Sequence, residues 1–344
     1  MLRPMHITLV SDPDLVNSNY RAYQPLQVLS RQGHEVRLNR LGEPRFDAGT
    51  LMGSDVVHIH RYADPPMFPM VARLNAAGVG VVWDNDDDVT AIPRSNPNYR
   101  SMGGPANRAR AVAAIAKMVT MADVVTTPSA VLAEQYAGHG AGDVRVLENY
   151  LPTEFGRAKP RKHDGVTVVW LAGLEHSVDY QQLGLRDTLL RLLDAHSDLR
   201  ILSIGLGLGL PADRYEHLKL VPFLELAHVM SIGDIGIAPL VDIPWNRARS
   251  NIKVKEYAAA GLPWLASPTG PYIGLGEREG GELVPDDGWH EALDRMINDG
   301  RRRRKLAKQA AKWAKGQGIE RHAGLWLDAF QTAAARARAR ASRG

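Results

Sequence analysis

Residues 234–268 read DIGIAPLVDIPWNRARSNIKVKEYAAAGLPWLASP. An apolar run ends at Pro239 and Leu240, a polar loop follows, a helix opens around Ser250, and a second strand runs from Pro263 to Ala266. In an open parallel sheet a helix start of this kind faces the crevice at the carboxyl ends of the strands. Its free N–H groups and its dipole favour phosphate there. Lys253 and Glu256 are three apart and share a face. A lysine at that place suits a diphosphate, and a glutamate one turn further in can accept hydrogen bonds from vicinal ribose hydroxyls. Ala258 to Gly261 are small enough to let the helix lie close to its sheet.

Outward from this stretch, strand and helix patterns alternate. Strands are expected at His6–Val10, Glu35–Leu38, Asp55–Ile59, Val79–Trp83, Val124–Thr126 and Val144–Leu147. Helices are expected at Tyr20–Gln32, Met67–Ala77, Pro105–Met121 and from Ser129. Pro152 to Gly165 is polar, basic and rich in breakers, which suits a linker. The pattern then restarts with strands Val166–Leu171, Leu199–Ile204, His217–Val221, Ile235–Pro239 and Pro263–Ala266. Helices are expected at Tyr180–Ala195, Asn251–Ala260 and from Gly288 onward. Strands alternating with helices predict parallel sheets covered on both faces. The organisation expected is an N-terminal α/β unit at 1–152, a linker at 153–165, a C-terminal α/β unit at 166–316 and a terminal helix at 317–344.

The bulk numbers agree. A chain of 344 residues, 44% hydrophobic and 23% charged, suits a soluble protein of two domains. It has no cysteine, which excludes disulfides, thiolate metal sites and cysteine nucleophiles. No apolar run approaches the roughly 18 residues that span a bilayer, and the N-terminus leads directly into a strand, so a cytoplasmic protein is expected. The net charge of +4 gathers in Arg301–Lys305 and Ala335–Arg343. These read first as solvated helix faces, with contact to an anionic membrane surface or nucleic acid as the alternative.

Asn246, Arg249, Ser250, Lys253, Glu256, Tyr257, Gly261 and Pro263 together resemble the donor-site signature of retaining GT-B glycosyltransferases related to glycogen synthase. The likeness is to a bacterial, polysaccharide-type subgroup of the family 4-like enzymes. It implies two Rossmann-like domains facing a cleft, with the C-terminal helix returning to the N-terminal domain. It implies hexosyl transfer from a nucleoside diphosphate sugar, without a metal or other cofactor, to the hydroxyl of a glycan, a lipid-linked glycan or a small molecule. Nucleic acid is not expected as a partner. The nucleobase is left open. Two glutamates are usual in this signature; Glu256 matches the second, while Ala248 stands at the first, leaving Asp242 or Asn246 as replacements.

By the same resemblance, Gly173, His176 and Asp179 form a turn beside the donor phosphates, joined by Asn246, Ser250, Asn251, Lys253 and Glu256. Lys253 and Arg249 would stabilise the departing diphosphate. Residues 81–93, VVWDNDDDVTAIP, bring Asp84, Asp86, Asp87 and Asp88 to the end of a strand. Such crowding raises some carboxyl pKa values unless cations compensate. Asp87 is the candidate at the reacting centre, and Asp84, Asp86 and Asp88 are candidates for the acceptor, with a divalent metal or a plain capping loop as rival readings. Asn19 and Arg21 open the first helix on the acceptor side. His58 and His60 share one strand face, and His60, nearer the strand end, is the candidate to act at the sugar.

Gly205-Leu206-Gly207-Leu208-Gly209 follows a strand, but Leu210 stands where a dinucleotide fingerprint needs glycine. It is read as a flexible turn beside the nucleotide. No phosphate loop of the Walker type and no hydrolase nucleophile elbow is present. Noncatalytic sugar-nucleotide binding and sugar-nucleotide epimerisation or hydrolysis remain as alternatives.

Overall fold

The computed structural model describes residues 3–11, 18–40, 48–157 and 163–343. Much of the expected linker, at 158–162, and residues 12–17 lie outside the described residues. The first unit is a parallel sheet of β1 (His6–Ser11), β2 (Glu35–Arg40), β3 (Val56–His60), β4 (Gly80–Asp84), β5 (Val124–Thr127) and β6 (Val144–Val146). Their spatial order is β2-β1-β3-β4-β5-β6. The helices between them are α1 (Gln24–Arg31), α2 (Ala48–Met52), α3 (Met67–Ala76), α4 (Tyr99–Met102), α5 (Pro105–Met121) and α6 (Ala130–Gly138). Strands β3 and β4 are buried along their whole length, which is why they read as unbroken apolar runs and not as alternating ones.

The second unit repeats the architecture, in the order β12-β11-β10-β7-β8-β9 and again entirely parallel. Its strands are β7 (Val166–Ala172), β8 (Leu199–Gly205), β9 (Tyr215–Leu218), β10 (Ile235–Ala238), β11 (Trp264–Ala266) and β12 (Gly281–Leu283). Its helices are α7 (Ser177–Gln182), α8 (Leu185–Ala195), α9 (Leu226–Met230), α10 (Pro244–Arg247), α11 (Ile252–Ala259), α12 (Trp289–Asn298) and α13 (Gly300–Ala314).

The chain then turns back. At the crossing the Leu151 N–H donates to the Gln317 carbonyl and the Leu151 carbonyl accepts from the Ile319 N–H, and α14 (Ala323–Ala341) packs on the first sheet. Trp326 and Phe330 are fully buried there, each contributing roughly 2–3 kcal/mol of apolar burial, and the Trp326 indole donates to the carbonyl of Arg21 at 3.0 Å.

Two local expectations are corrected. The helix expected over Tyr180–Ala195 is two helices, broken at Gly184, whose φ of 59° is left-handed and restarts the chain in a new direction. Strand β9 lies at Tyr215–Leu218 instead of His217–Val221, held by pairing with Ile201–Ile204. Asn149 is in a loop beyond β6, which ends at Val146. No helix among the described residues is long and apolar enough to cross a membrane.

Candidate active site between the two sheets

Helix α11 begins at Ile252, directly beneath the ends of β7 and β10. Tyr257 fastens it, its hydroxyl donating to the carbonyl of Ile237 at 2.7 Å and accepting the Leu171 N–H at 2.9 Å. No side chain caps the helix start at Asn251, so its first N–H groups stay available to an anion. The Lys253 ammonium donates to the carbonyl of Leu171. Burial pushes the lysine down to about 8, and the nearby Glu256 opposes that shift. Glu256 itself is buried and carries a carboxyl raised to about 7 by desolvation, against the pull of Lys253.

The turn after β7 forms the opposite wall. Asp179 is fully buried. It accepts from His176 at 2.7 Å, from the Asn246 amide at 2.8 Å and from the Val241 N–H at 2.9 Å. The His176 Nδ1 is thus tied down, while Nε2 makes no hydrogen bond among the described residues, the Glu175 carboxylate standing 3.8 Å away. Burial first, then the charges of Arg249 and Lys253, lower this imidazole to about 4. It is neutral near pH 7, and with its one N–H at Nδ1 given to Asp179, Nε2 is left as an acceptor for a donor hydroxyl. Arg249 pairs with Glu175 at 3.0 Å. Burial alone would raise the Glu175 carboxyl, but Arg249, His176 and a backbone hydrogen bond together outweigh it and hold the group at about 2.

Residues of the first unit reach this helix directly. The Tyr20 hydroxyl donates to the Glu256 carboxylate. Asn149 donates to the Ser250 hydroxyl at 3.0 Å. Lys255, fully buried, binds the Glu148 carboxylate at 2.7 Å and the Asn149 carbonyl at 2.9 Å. Tyr20 lies in a π-helical turn, Asn19–Tyr23, at the mouth of α1, a distortion frequent at functional sites.

The acidic stretch divides its carboxylates. Asp84 is fully buried and accepts from Nε and Nη2 of Arg21, at 3.2 and 2.6 Å, from Thr126 at 2.5 Å and, at 3.0 Å, shares a hydrogen bond with the His60 Nδ1. Burial would raise its carboxyl; Arg21 and His60 together hold it far below the usual range. Arg21 also donates to Asn149 at 3.1 Å and has no exposed surface. The structure therefore corrects the placement expected for Arg21, Asp84 and His60. They form a desolvated cluster under the interdomain face, and none presents a free surface to an acceptor or a sugar. Asp88 is likewise taken up by its own loop, capping Thr90 at 3.0 Å through the backbone N–H.

Asp86 and Asp87 are bridged by Arg61, at 2.7 and 2.8 Å. Burial raises the Asp87 carboxyl, with Arg61 opposing and Asp86 reinforcing the shift. Among the described residues, Arg61 is the only non-glycine with positive φ, at 70°. Sequence reasoning missed it, and no pattern announces a strained backbone. Asp242 binds Arg247 through both oxygens at 2.6 and 2.8 Å, and the Asn246 amide is committed to Asp179. At Ala248 the chain packs into the core of the first unit. The glycine cluster after β8 is packed rather than flexible: Leu206, Leu208 and Leu210 are buried in the core of the second unit. Among the described residues no group of three His, Asp or Glu side chains is placed to hold a metal ion.

Two parallel six-stranded sheets meet across α11, with the final helix returned to the first sheet. Solved structures share this arrangement. HepE of Anabaena in complex with UDP has a TM-score of 0.64 at 12% identity, covering 95% of this chain and 100% of its own. The fold is GT-B. An α-glucosyltransferase in complex with UDP and a DNA 13-mer containing a HMU base has a TM-score of 0.65 at 12% identity, over 96% and 100%. A glycosyltransferase from Rickettsia africae gives 0.65 at 11% identity, over 96% and 99%. No family model matches the sequence, and no curated protein matches it. At such identities the likeness belongs to the GT-B architecture alone, so function is argued from the site.

Proposed function

We propose that the chain is a glycosyltransferase that moves a sugar from a nucleoside diphosphate sugar to a hydroxyl acceptor with retention at the anomeric carbon. The observation that carries this reading is the uncapped start of α11, where Ser250, Lys253, Arg249 and His176 converge with Glu256 one turn further in. A diphosphate on the helix N–H groups and Lys253, with ribose hydroxyls on Glu256, uses each of these groups in the charge state its surroundings favour. GT-B neighbours crystallised with UDP and with UDP-glucose support a donor of this class.

In the proposed step the acceptor oxygen attacks the anomeric carbon from the face the diphosphate leaves. The carbon–oxygen bond to the β-phosphate breaks with its electron pair passing to the phosphate, and the departing oxygen takes the hydroxyl proton. Catalysis is then positioning together with stabilisation of the developing diphosphate charge by Lys253, Arg249 and the helix start. Asp87 accepts a hydrogen bond from the acceptor hydroxyl and orients it.

Thermal shift against UDP, GDP, ADP and dTDP and their sugars, with and without Mg²⁺, tests the donor site. Stabilisation by one nucleotide, independent of metal and lost in Glu256→Ala, is the expected result. No stabilisation by any of them at saturating concentration overturns the assignment. Binding without turnover over a broad acceptor panel would favour a noncatalytic role, which Ala248 in place of an acid makes specific to this chain.

A further inference from the structure

Beside the acidic loop, on the side of α3 and α5, lies a cavity of about 830 Å³ that the nucleotide site does not use. Its size is within the range of pockets for drug-sized ligands. Phe68, Val89, Ile92, Ala111 and Ala114 give it an apolar interior, and Trp245 closes it from the second unit. Asp87, Arg61 and Asp64 also line it. The Arg249 guanidinium lies 6.0 Å from the Trp245 ring and acts on the Asp87 carboxyl, so the cavity adjoins the diphosphate side of the site.

The polar groups around the cavity are unevenly disposed. The amides of Asn85 and Asn107 donate to carbonyls of their own loops, and the Asn96 carbonyl caps Asn98. They are poorly placed to serve sugar hydroxyls. The cations are different. Residues 89–122 carry Arg94, Arg100, Arg108, Arg110 and Lys117 and no aspartate or glutamate, and all five cations are exposed. Arg110 and Lys117 line this cavity. Among the described residues Arg110 donates to the neutral Asn107, and the Lys117 ammonium sits 4.5 Å above the Phe68 ring. The lining carries three cations, Arg61, Arg110 and Lys117, against the two carboxylates of Asp64 and Asp87; an apolar interior with a net positive lining, and with Arg110 and Lys117 on a segment that has no carboxylate of its own, is complementary to an amphiphilic anion.

We propose that this cavity seats the acceptor, and that the acceptor is an organic phosphate with an apolar body. The chain or ring fills the space between α3 and α5, the phosphate meets Arg110 and Lys117, and the hydroxyl to be glycosylated lies at Asp87. This rests on the transferase reading, whose donor half is tested separately by the nucleotide-induced thermal shift.

The test is calorimetric titration of the whole chain with decyl phosphate, decyl maltoside and inorganic phosphate, after the nucleotide shift has been read on the same preparation. Decyl phosphate should bind at least about tenfold more tightly than either control, a gap of roughly 1.4 kcal/mol. That preference should disappear in Arg110→Glu/Lys117→Glu, whose folding is checked by its thermal melt. Ala114→Phe, which fills the cavity, should weaken decyl phosphate binding while inorganic phosphate is unaffected. Sedimentation with phosphatidylcholine vesicles, plain or doped with phosphatidic acid, separates the sources. Capture by the doped vesicles alone identifies a lipid-borne acceptor, and no capture identifies a soluble one; either accords with the proposal. Decyl phosphate binding no more tightly than decyl maltoside, or a preference that survives the double charge reversal, overturns it. A normal nucleotide shift beside that failure would leave the donor reading standing.

Discussion

The Tyr20 hydroxyl of the first unit donates to the Glu256 carboxylate of the second. The Tyr20 ring also meets Phe223 edge-on, with centroids 4.9 Å apart. One side chain thus ties the two sheets together through the carboxylate proposed to hold the ribose. A nucleotide must either displace this bond or share it.

Displacement leads to a definite expectation. Tyr20→Phe keeps the contact with Phe223 and removes the competing donor. A hydrogen bond to a charged group is worth roughly 1.5–3 kcal/mol, so nucleotide affinity should rise about tenfold or more while the free protein melts at a lower temperature. Calorimetry on the variant checks this. Weaker binding would instead make Tyr20 a ribose ligand in its own right.

The paired shifts of Glu256 and Lys253 predict a bell-shaped pH dependence of donor binding. Glu256 is raised to about 7 by burial, so its ionised, hydrogen-bond-accepting form is gained as pH climbs through that value. Lys253 is lowered to about 8, also by burial, so its charge is lost above it. Affinity for a nucleoside diphosphate sugar, whose diphosphate does not titrate in this range, should peak between these values. Glu256→Gln should abolish the ascending limb. The folded-state sign is opposite for stability: a carboxyl raised from 4.5 to about 7 binds its proton more tightly folded than unfolded. Its contribution is therefore lost as pH rises through that window. A flat binding profile from pH 6 to 9 would remove the two groups from the donor site.

Arg61 joins strain to charge. Its backbone N–H donates to the Asp84 carbonyl at 2.7 Å while its guanidinium spans Asp86 and Asp87. Arg61→Gly relieves the left-handed backbone, whereas Arg61→Ala retains it, and both delete the bridge. The glycine variant should be the more stable by about 1 kcal/mol in urea unfolding. Both should lose at least tenfold in turnover, because Asp86 and Asp87 then repel without a cation between them. Equal stability of the two variants would show that the backbone conformation carries no strain, and undiminished turnover would take Asp87 out of the reaction.

The alternation of strand and helix patterns was enough to anticipate two parallel sheets, since buried strands such as β3 and β4 must be apolar throughout. Helix α5, from Pro105 to Met121, was legible to the residue because proline starts it. The placement of Lys253 and Glu256 on one face of α11 was equally readable, being a matter of local spacing. What escaped is what depends on distance along the chain. Arg21 and Asp84 are 63 residues apart, and no local pattern shows that a strand-end aspartate is neutralised by a helix-start arginine. Strand β12, only Gly281–Leu283, is too short to carry a period and exists because Trp264 and its neighbours on β11 offer it an edge.

Gly80 shows how closely the returning helix is fitted. A Cβ placed on it would lie 2.7 Å from the Ala333 carbonyl carbon and the Ala334 nitrogen, both backbone atoms of α14. Neither can yield as a side chain could, so Gly80→Ala must lift α14 from β4 and open the core around Trp326 and Phe330. Overpacking of this kind costs about 1–3 kcal/mol. Gly53→Ala is the matched control, since its Cβ would meet nothing closer than the Thr50 carbonyl at 3.8 Å, and its effect should stay within about 0.5 kcal/mol. Urea unfolding of the two variants separates them. If Gly80→Ala unfolds no more readily than Gly53→Ala, α14 is not clamped against the first sheet, and the return of the C-terminus contributes less to this unit's stability than its burial implies.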